Sequence, residues 1–238
     1  CPELIVLPPD PNKYRAVHLE LKKLLGIYTD KIVPKSIDEF VLDLEGAPSF
    51  MRKGIHEVAR EIKRRIKTEI GDYLTVSIGI GPNRFLAKTA AGMHKPDGLD
   101  EINAENFVQT YMSFKLSDLN GIKTNNITRL NGHGIFTVMD FYEADILKLK
   151  AAFKSIVGYY WYLRLHGFEI DDVEFGRRSY GNSFALPKQF STVEELAPIL
   201  QKLMEKMSRR MRKAGYTARG VHVALLYRDW SNWHHGET

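Results

Sequence analysis

Two adjacent acids, Asp38 and Glu39, stand between apolar runs in Lys31-Ile32-Val33 and Phe40-Val41-Leu42-Asp43-Leu44. Paired carboxylates are costly in a segment that only has to pack, and well suited to holding a divalent cation. In one extended strand they would point to opposite faces and could not share an ion. At the tip of a hairpin the alternation breaks, and both can converge on one side. Mg²⁺ takes carboxylate oxygens together with water and substrate phosphates. Such a pair could help to anchor a two-metal site for in-line attack at phosphorus. The alternative, acids that merely solubilise a tight turn, stays open on the dipeptide alone.

A second constellation runs from Gly79-Ile80-Gly81-Pro82-Asn83 through Leu86-Ala87-Lys88 to His94-Lys95-Pro96-Asp97-Gly98. Glycines at a strand-to-helix junction allow close backbone approach, and a helix N-terminus favours anions. Lys95, held by the turn after it, can project into a site as a phosphate counter-charge. An ordinary surface turn has the same composition, and Lys88 reads as a solvated helix residue. A third segment, Asp118 to Leu130, reads as helix, tight Gly121 turn, helix. Free amides at the start of its second helix could hold a phosphodiester whatever the base sequence. A plain connection in a helical bundle would look alike.

Several elements must position these residues. Asp10-Pro11 starts a helix with an acid at the cap and proline at the first position. Tyr14, Val17, Leu21, Leu24 and Leu25 repeat along it at helical spacing. Ile55, Val58, Ile62 and Ile66 form the stripe of another helix after Pro48, with His56, Arg60, Lys63 and Arg64 on its wet side. Strands are predicted at Leu4 to Leu7, on both sides of Ser36 to Glu39, and at Leu74 to Ile80. Short helices fill 103–167 with no strand. Beyond a linker at 168–176, strands at Tyr180 to Leu186 and Val221 to Tyr227 flank a long amphipathic helix from Glu194 to Lys213. Interleaved helices and strands of this kind predict an α/β (α+β) fold in three modules.

The 34 Lys and Arg exceed the 29 Asp and Glu by 5, and the excess is placed unevenly. Residues 177–238 hold eleven basic residues against five acidic ones, so the remainder is nearly neutral. A basic C-terminal part suggests a polyanionic partner, nucleic acid before membrane; a solubilising charged helix is the plainer alternative. The one cysteine, Cys1, excludes an internal disulfide framework and fits a reducing compartment, which predicts a cytoplasmic protein. No apolar run reaches the ~18 residues of a membrane span. The chain opens on a strand pattern without Met, which reads as a fragment.

In this order the motifs resemble the Y-family, DNA polymerase IV-like translesion polymerases. The carriers are Ser36-Ile37-Asp38-Glu39 with Leu42-Asp43-Leu44, Val76 to Ile80, and Asn83 with Leu86-Ala87-Lys88. Lys95-Pro96-Asp97-Gly98, the helix–hairpin–helix at 118–130 and Arg178-Ser179-Tyr180-Gly181 complete the set. The resemblance implies a palm-type sheet with helices on one face over 1–102 and a small helical thumb over 103–167. It also implies an incomplete α/β little finger over 177–238. Asp38 and Glu39 would be catalytic carboxylates of a two-ion Mg²⁺ site, and Lys95 would contact the incoming deoxynucleoside triphosphate. Gly121 and Ile122 would offer amides to a DNA phosphate, with Lys123 beside them. Lys123 stands where the family has a second glycine. Arg178 and Ser179 would begin the module that lies along the duplex. Primer–template DNA is the implied partner, a sliding clamp a further one, and a monomer the implied state.

The family's first metal-binding aspartate belongs to a segment before residue 1. This chain alone is therefore expected to bind DNA and fail to extend a primer. Two other classes share some of these residues: a palm-type nucleotidyl cyclase, and a non-catalytic DNA-binding or partner-docking module.

Overall fold

Asp10 caps the first helix as its place before Pro11 predicts, its side chain accepting a hydrogen bond from the Lys13 amide at 3.1 Å. The computed structural model describes residues 3–173 and 179–238. The chain divides into two compact units, Cys1–Val173 and Glu174–Thr238.

In the first unit, helix α1 (Pro11–Leu25) buries only its last turn, through Leu24 and Leu25, while Tyr14 stays exposed. Strands β1 (Ile32–Pro34) and β2 (Phe40–Leu42) pair antiparallel, Ile32 opposite Leu42 and Pro34 opposite Phe40. The single helix predicted after Pro48 is two. Helix α2 (Pro48–Lys53) ends at Gly54, whose φ of 77° no β-carbon would favour, and α3 (Ile55–Arg65) follows. Val58, Ile62 and Ile66 are buried beneath α1 and the hairpin, together with Tyr28.

The strand predicted from Leu74 is shorter than its alternation suggests. Only Ile78–Ile80 (β3) is paired, in parallel with Leu99–Glu101 (β4). The sheet is thus built as two-stranded pieces within a mixed α/β unit. Helix α4 (Arg84–Ala90) lies directly on β3, close enough that a β-carbon at Gly79 would stand 1.9 Å from the Ala87 carbonyl oxygen.

From residue 107 the unit is helical, as read: α5 (Phe107–Ser113), a 3-10 turn (Leu116–Asp118), α6 (Thr124–Asn131), α7 (Val138–Glu143), α8 (Ile146–Phe153) and α9 (Val157–Leu165). Their common core contains Tyr111, Ile122, Leu130, Phe141, Leu149 and Trp161, and it extends to Phe85 and Leu86 of α4. Tyr111 donates its hydroxyl proton to the Leu165 carbonyl at 2.8 Å, which satisfies the one polar atom that this ring buries. The same burial pushes the Tyr111 phenol well above the ordinary tyrosine range.

The predicted linker is held along its first half. Arg84 donates to Glu169 at 3.1 Å and to Asp172 at 2.5 Å, and Arg164 grips Asp171 through two nitrogens. The Arg164 guanidinium holds the Asp171 carboxyl below the usual range. Asn83, buried, donates to the Arg164 and Phe168 carbonyls at 2.9 and 3.0 Å while its Oδ1 caps α4 at Leu86.

The second unit contains α10 (Val193–Lys213) and the antiparallel pair β5 (Val221–Leu226) and β6 (Asn232–Glu237). Thr192 caps α10, two glutamates occupy its first turn, and Arg210, Arg212 and Lys213 its last, which complements the helix dipole at both ends.

Two predicted strands do not form among the described residues. Leu4 to Leu7 are 69–82% exposed and unpaired, because a strand needs a neighbour's ladder and none of the three pairs extends to it. Tyr180 to Leu186 carries no ladder either, since β5 pairs with β6.

Candidate functional site

Residues 36–39 form the tip of the β1–β2 hairpin, where the Lys35 amide donates to the Glu39 carbonyl at 2.9 Å. The strand alternation ends there, as the adjacent acids require. Ser36 Oγ donates to Asp38 Oδ1 at 2.5 Å, and the Asp38 amide returns a bond to Ser36 Oγ at 3.4 Å. His18 of α1 pins the tip from below: its Nδ1 lies 2.9 Å from the Ile37 carbonyl oxygen, and its ring stacks on Phe40 at 4.8 Å. Nothing in the sequence near His18 pointed to this contact. It spans 19 positions and uses an exposed helix face.

Glu39 is engaged. Lys88 Nζ, on α4, lies 2.7 and 2.8 Å from its two carboxylate oxygens, with both side chains about half exposed (49% and 45%). Lys88 is therefore not merely a solvated helix residue; it places a cation on one of the two acids. Asp43 has a different role. The Glu45 amide and then Lys31, at 2.9 and 3.1 Å, hold its carboxyl below the usual range, and it closes the far end of the hairpin.

Among the described residues no group of three or more His, Cys, Asp and Glu is placed to hold a metal ion. Asp38 and Glu39 supply two hard carboxylates at an exposed tip. That set fits Mg²⁺, which binds through one or two carboxylates and completes its shell with water and substrate phosphate.

Lys95 lies in the turn between α4 and β4, exposed and without a partner among the described residues. The turn contains a cis Lys95–Pro96 bond and Asp97 at φ 60°. Lys63, predicted on the wet side of α3, is instead turned inward with 16% of its side chain exposed, and bonds to this turn. His56, also predicted wet, lies 2.8 Å from Glu101 of β4.

The segment 118–130 is a short 3-10 turn, a hairpin and α6. Gly121 sits at φ 92°, and the Asn126 side chain donates to its carbonyl at 3.1 Å. Gly121, Lys123, Thr124, Asn125, Asn126 and Arg129 line a shallow concavity at the start of α6. The Ile122 amide donates to the Leu119 carbonyl at 3.0 Å and its side chain is fully buried, so Ile122 anchors the hairpin in the core. In the first turn of α6 the Asn126 and Ile127 amides donate to the Lys123 carbonyl at 2.8 and 3.0 Å, and Thr124 and Asn125 before them line the concavity beside Lys123. Ser179 is exposed, and Arg178 lies outside the described residues.

The fold is that of Y-family DNA polymerases. A Y-family DNA polymerase chimera superposes with a TM-score of 0.80 at 24% identity over 99% of this chain and 67% of its own. An insertion ternary complex of Dbh DNA polymerase gives 0.63 at the same identity and coverage. The impB/mucB/samB family matches residues 1–92, and the C-terminal domain of that family matches 177–238; the chain belongs to it. DNA polymerase IV 1 of Bacillus subtilis (strain 168) is 33% identical over 234 residues, covering 97% of this chain and 55% of the relative. DNA polymerase IV of Ectopseudomonas mendocina is 31% identical, with 97% and 66% covered. The chain spans roughly half to two thirds of the length of these relatives.

Proposed function

We propose that this chain contributes the palm carboxylates, the thumb and the little finger of a DNA-directed DNA polymerase of the lesion-bypass type. The observation that carries the reading is the hairpin tip. Two adjacent acids stand there, Asp38 bonded to Ser36 and Glu39 to the Lys88 ammonium, in a chain whose relatives are named DNA polymerase IV. Asp38 and Glu39 hold Mg²⁺ in this reading, which when bound lowers the cost of ionising a primer 3′-hydroxyl and steadies pyrophosphate. Lys95 neutralises charge on the triphosphate of the incoming nucleotide, an effect that grows as water is excluded. Ser36 keeps Asp38 oriented, and Lys88 holds Glu39 until the cation competes for it.

The Gly121–Arg129 concavity binds backbone phosphate of the primer–template, and the basic second unit adds sequence-independent contacts. Substituting Lys123 or Arg129 with alanine is expected to weaken binding uniformly across DNA sequences. Each change should flatten the log–log salt slope by about one, the loss of one phosphate contact. Fluorescence anisotropy over a salt series measures it, and an unchanged slope places the DNA elsewhere.

Primer extension tests the chemistry, on this chain and on the chain joined to a relative's preceding segment. Asp38→Asn is expected to cut extension by roughly 10²-fold or more, the usual scale for removing a group that stabilises transition-state charge. DNA affinity without metal should be unchanged. Extension that survives Asp38→Asn and Glu39→Gln would remove the hairpin tip from the mechanism. Cyclisation of a nucleoside triphosphate in place of extension would assign the tip to a different reaction.

A further inference from the structure

We infer that Lys63 is a positioning residue for phosphate recognition, its inward-turned ammonium fixing the turn that presents Lys95. The inference rests on the reading of Lys95 as the contact to a nucleoside triphosphate.

Lys63 Nζ donates to the carbonyl oxygens of Val76 at 3.0 Å, Asp97 at 2.6 Å and Gly98 at 3.1 Å. Those three bonds use every proton an ammonium carries. Asp97 Oδ1 adds an ion pair at 2.8 Å without an aligned hydrogen bond of its own. The ligands come from two segments: Val76 leads into β3, while Asp97 and Gly98 lead into β4. Lys63 therefore ties α3 to the strand entrances on both sides. Lys67, one turn further on, reaches Asp97 Oδ2 at 3.1 Å.

A lysine taken out of water costs free energy unless it is fully paired, and packing alone would be served by an apolar residue here. What the ammonium adds is a fixed turn. Asp97 stands at φ 60°, a conformation uncommon for a residue with a β-carbon, and Lys63 holds both its carbonyl and its carboxylate. Gly98 is seated so closely that a β-carbon would come within 2.4 Å of the His94 carbonyl oxygen. The turn is thus closed on both sides of Pro96. Three lysines meet this corner. Lys63 is turned inward onto Asp97, Lys67 pairs with the same carboxylate from an exposed position, and Lys95 is the one of the three whose ammonium has no partner among the described residues. A polyphosphate approaching the turn finds one unpaired cation, at a position set by another.

The test uses Lys63→Met, which keeps the stem and removes the donors. Amide hydrogen exchange across 94–98 is expected to accelerate about tenfold or more, the loss of roughly one charge-assisted bond, while α6 to α9 keep their rates. Calorimetric titration with inorganic tripolyphosphate is expected to show Lys95→Ala and Lys63→Met each weakening affinity by about tenfold. The double variant should bind no more weakly than Lys95→Ala alone, because Lys63 acts through Lys95. Unchanged exchange at 94–98, or full affinity in Lys63→Met where Lys95→Ala has lost it, overturns the inference. Affinity indifferent to Lys95→Ala defeats the reading of Lys95 and the inference with it, and the exchange rates distinguish that failure from failure of the clamp. Should Lys63→Met not fold, Asp97→Asn is carried through the same two measurements with the same expectations.

Discussion

Replacing Trp161 with alanine is expected to remove about 3–5 kcal/mol of stability from the first unit, the range for a large aromatic in a packed core. The ring is 5% exposed and sits among Phe85, Phe141 and Phe153, with centroids 5.2, 5.6 and 6.3 Å away. The consequence reaches the candidate DNA interface, because Gly121 rests on this ring: a β-carbon there would touch Trp161 at 3.4 Å. DNA affinity should therefore fall with stability, although Trp161 contacts no phosphate in the proposed complex. Urea unfolding followed by far-ultraviolet circular dichroism, beside anisotropy on the same samples, measures both. A loss under 1 kcal/mol would mean that the core repacks. Intact DNA binding in a destabilised variant would uncouple the hairpin from Trp161.

Gly79→Ala is expected to be comparably severe for a different reason. The added carbon would lie 1.9 Å from the Ala87 carbonyl oxygen and 2.2 Å from the Ala91 amide nitrogen. Both are backbone atoms of α4 and its cap, so no side chain can swing aside. The helix must lift off β3, at about 3 kcal/mol or more, the upper end for forcing extra volume into a packed contact. Lys88 travels with that helix, so the Glu39 pairing should loosen too. Gly181→Ala is the control. Among the described residues nothing lies within 4 Å of a β-carbon there, and its φ is outside the left-handed region, so stability should be nearly unchanged. Thermal melts of the two variants check the contrast, and similar midpoints would refute the close approach of α4 to β3.

The elements legible in the sequence were those with local signals. Asp10-Pro11 and Asn83 mark true helix starts, and Val58, Ile62 and Ile66 mark a true buried stripe. The hairpin around Asp38 was legible because apolar runs flank it at strand length. Strand β4 was not, since Leu99-Asp100-Glu101 has one apolar residue and no alternation; only its parallel partner β3 makes it a strand. Strand β6 was hidden in the same way by His234, His235 and Gly236. Leu4 to Leu7 has the composition of a strand and no partner among the described residues. In the candidate site, residue types were readable and pairings were not. His18 to Ile37, Lys88 to Glu39 and Lys63 to Asp97 span 19, 49 and 34 positions. Contacts at such separations depend on how α1, α3 and α4 are laid on the strands, which no local pattern encodes.

The ion pairs along 168–172 make the start of the predicted linker part of the first unit. Five residues that composition assigns to a loose connection are fastened by Arg84, Arg164 and Asn83 to the ends of α4 and α9. The fastening is graded. Asp172 is 72% exposed, so its bond to Arg84 is the one that salt screens first. Rising ionic strength should therefore release residue 172 before 169 and 171, so that the connection frays from its exposed end inward.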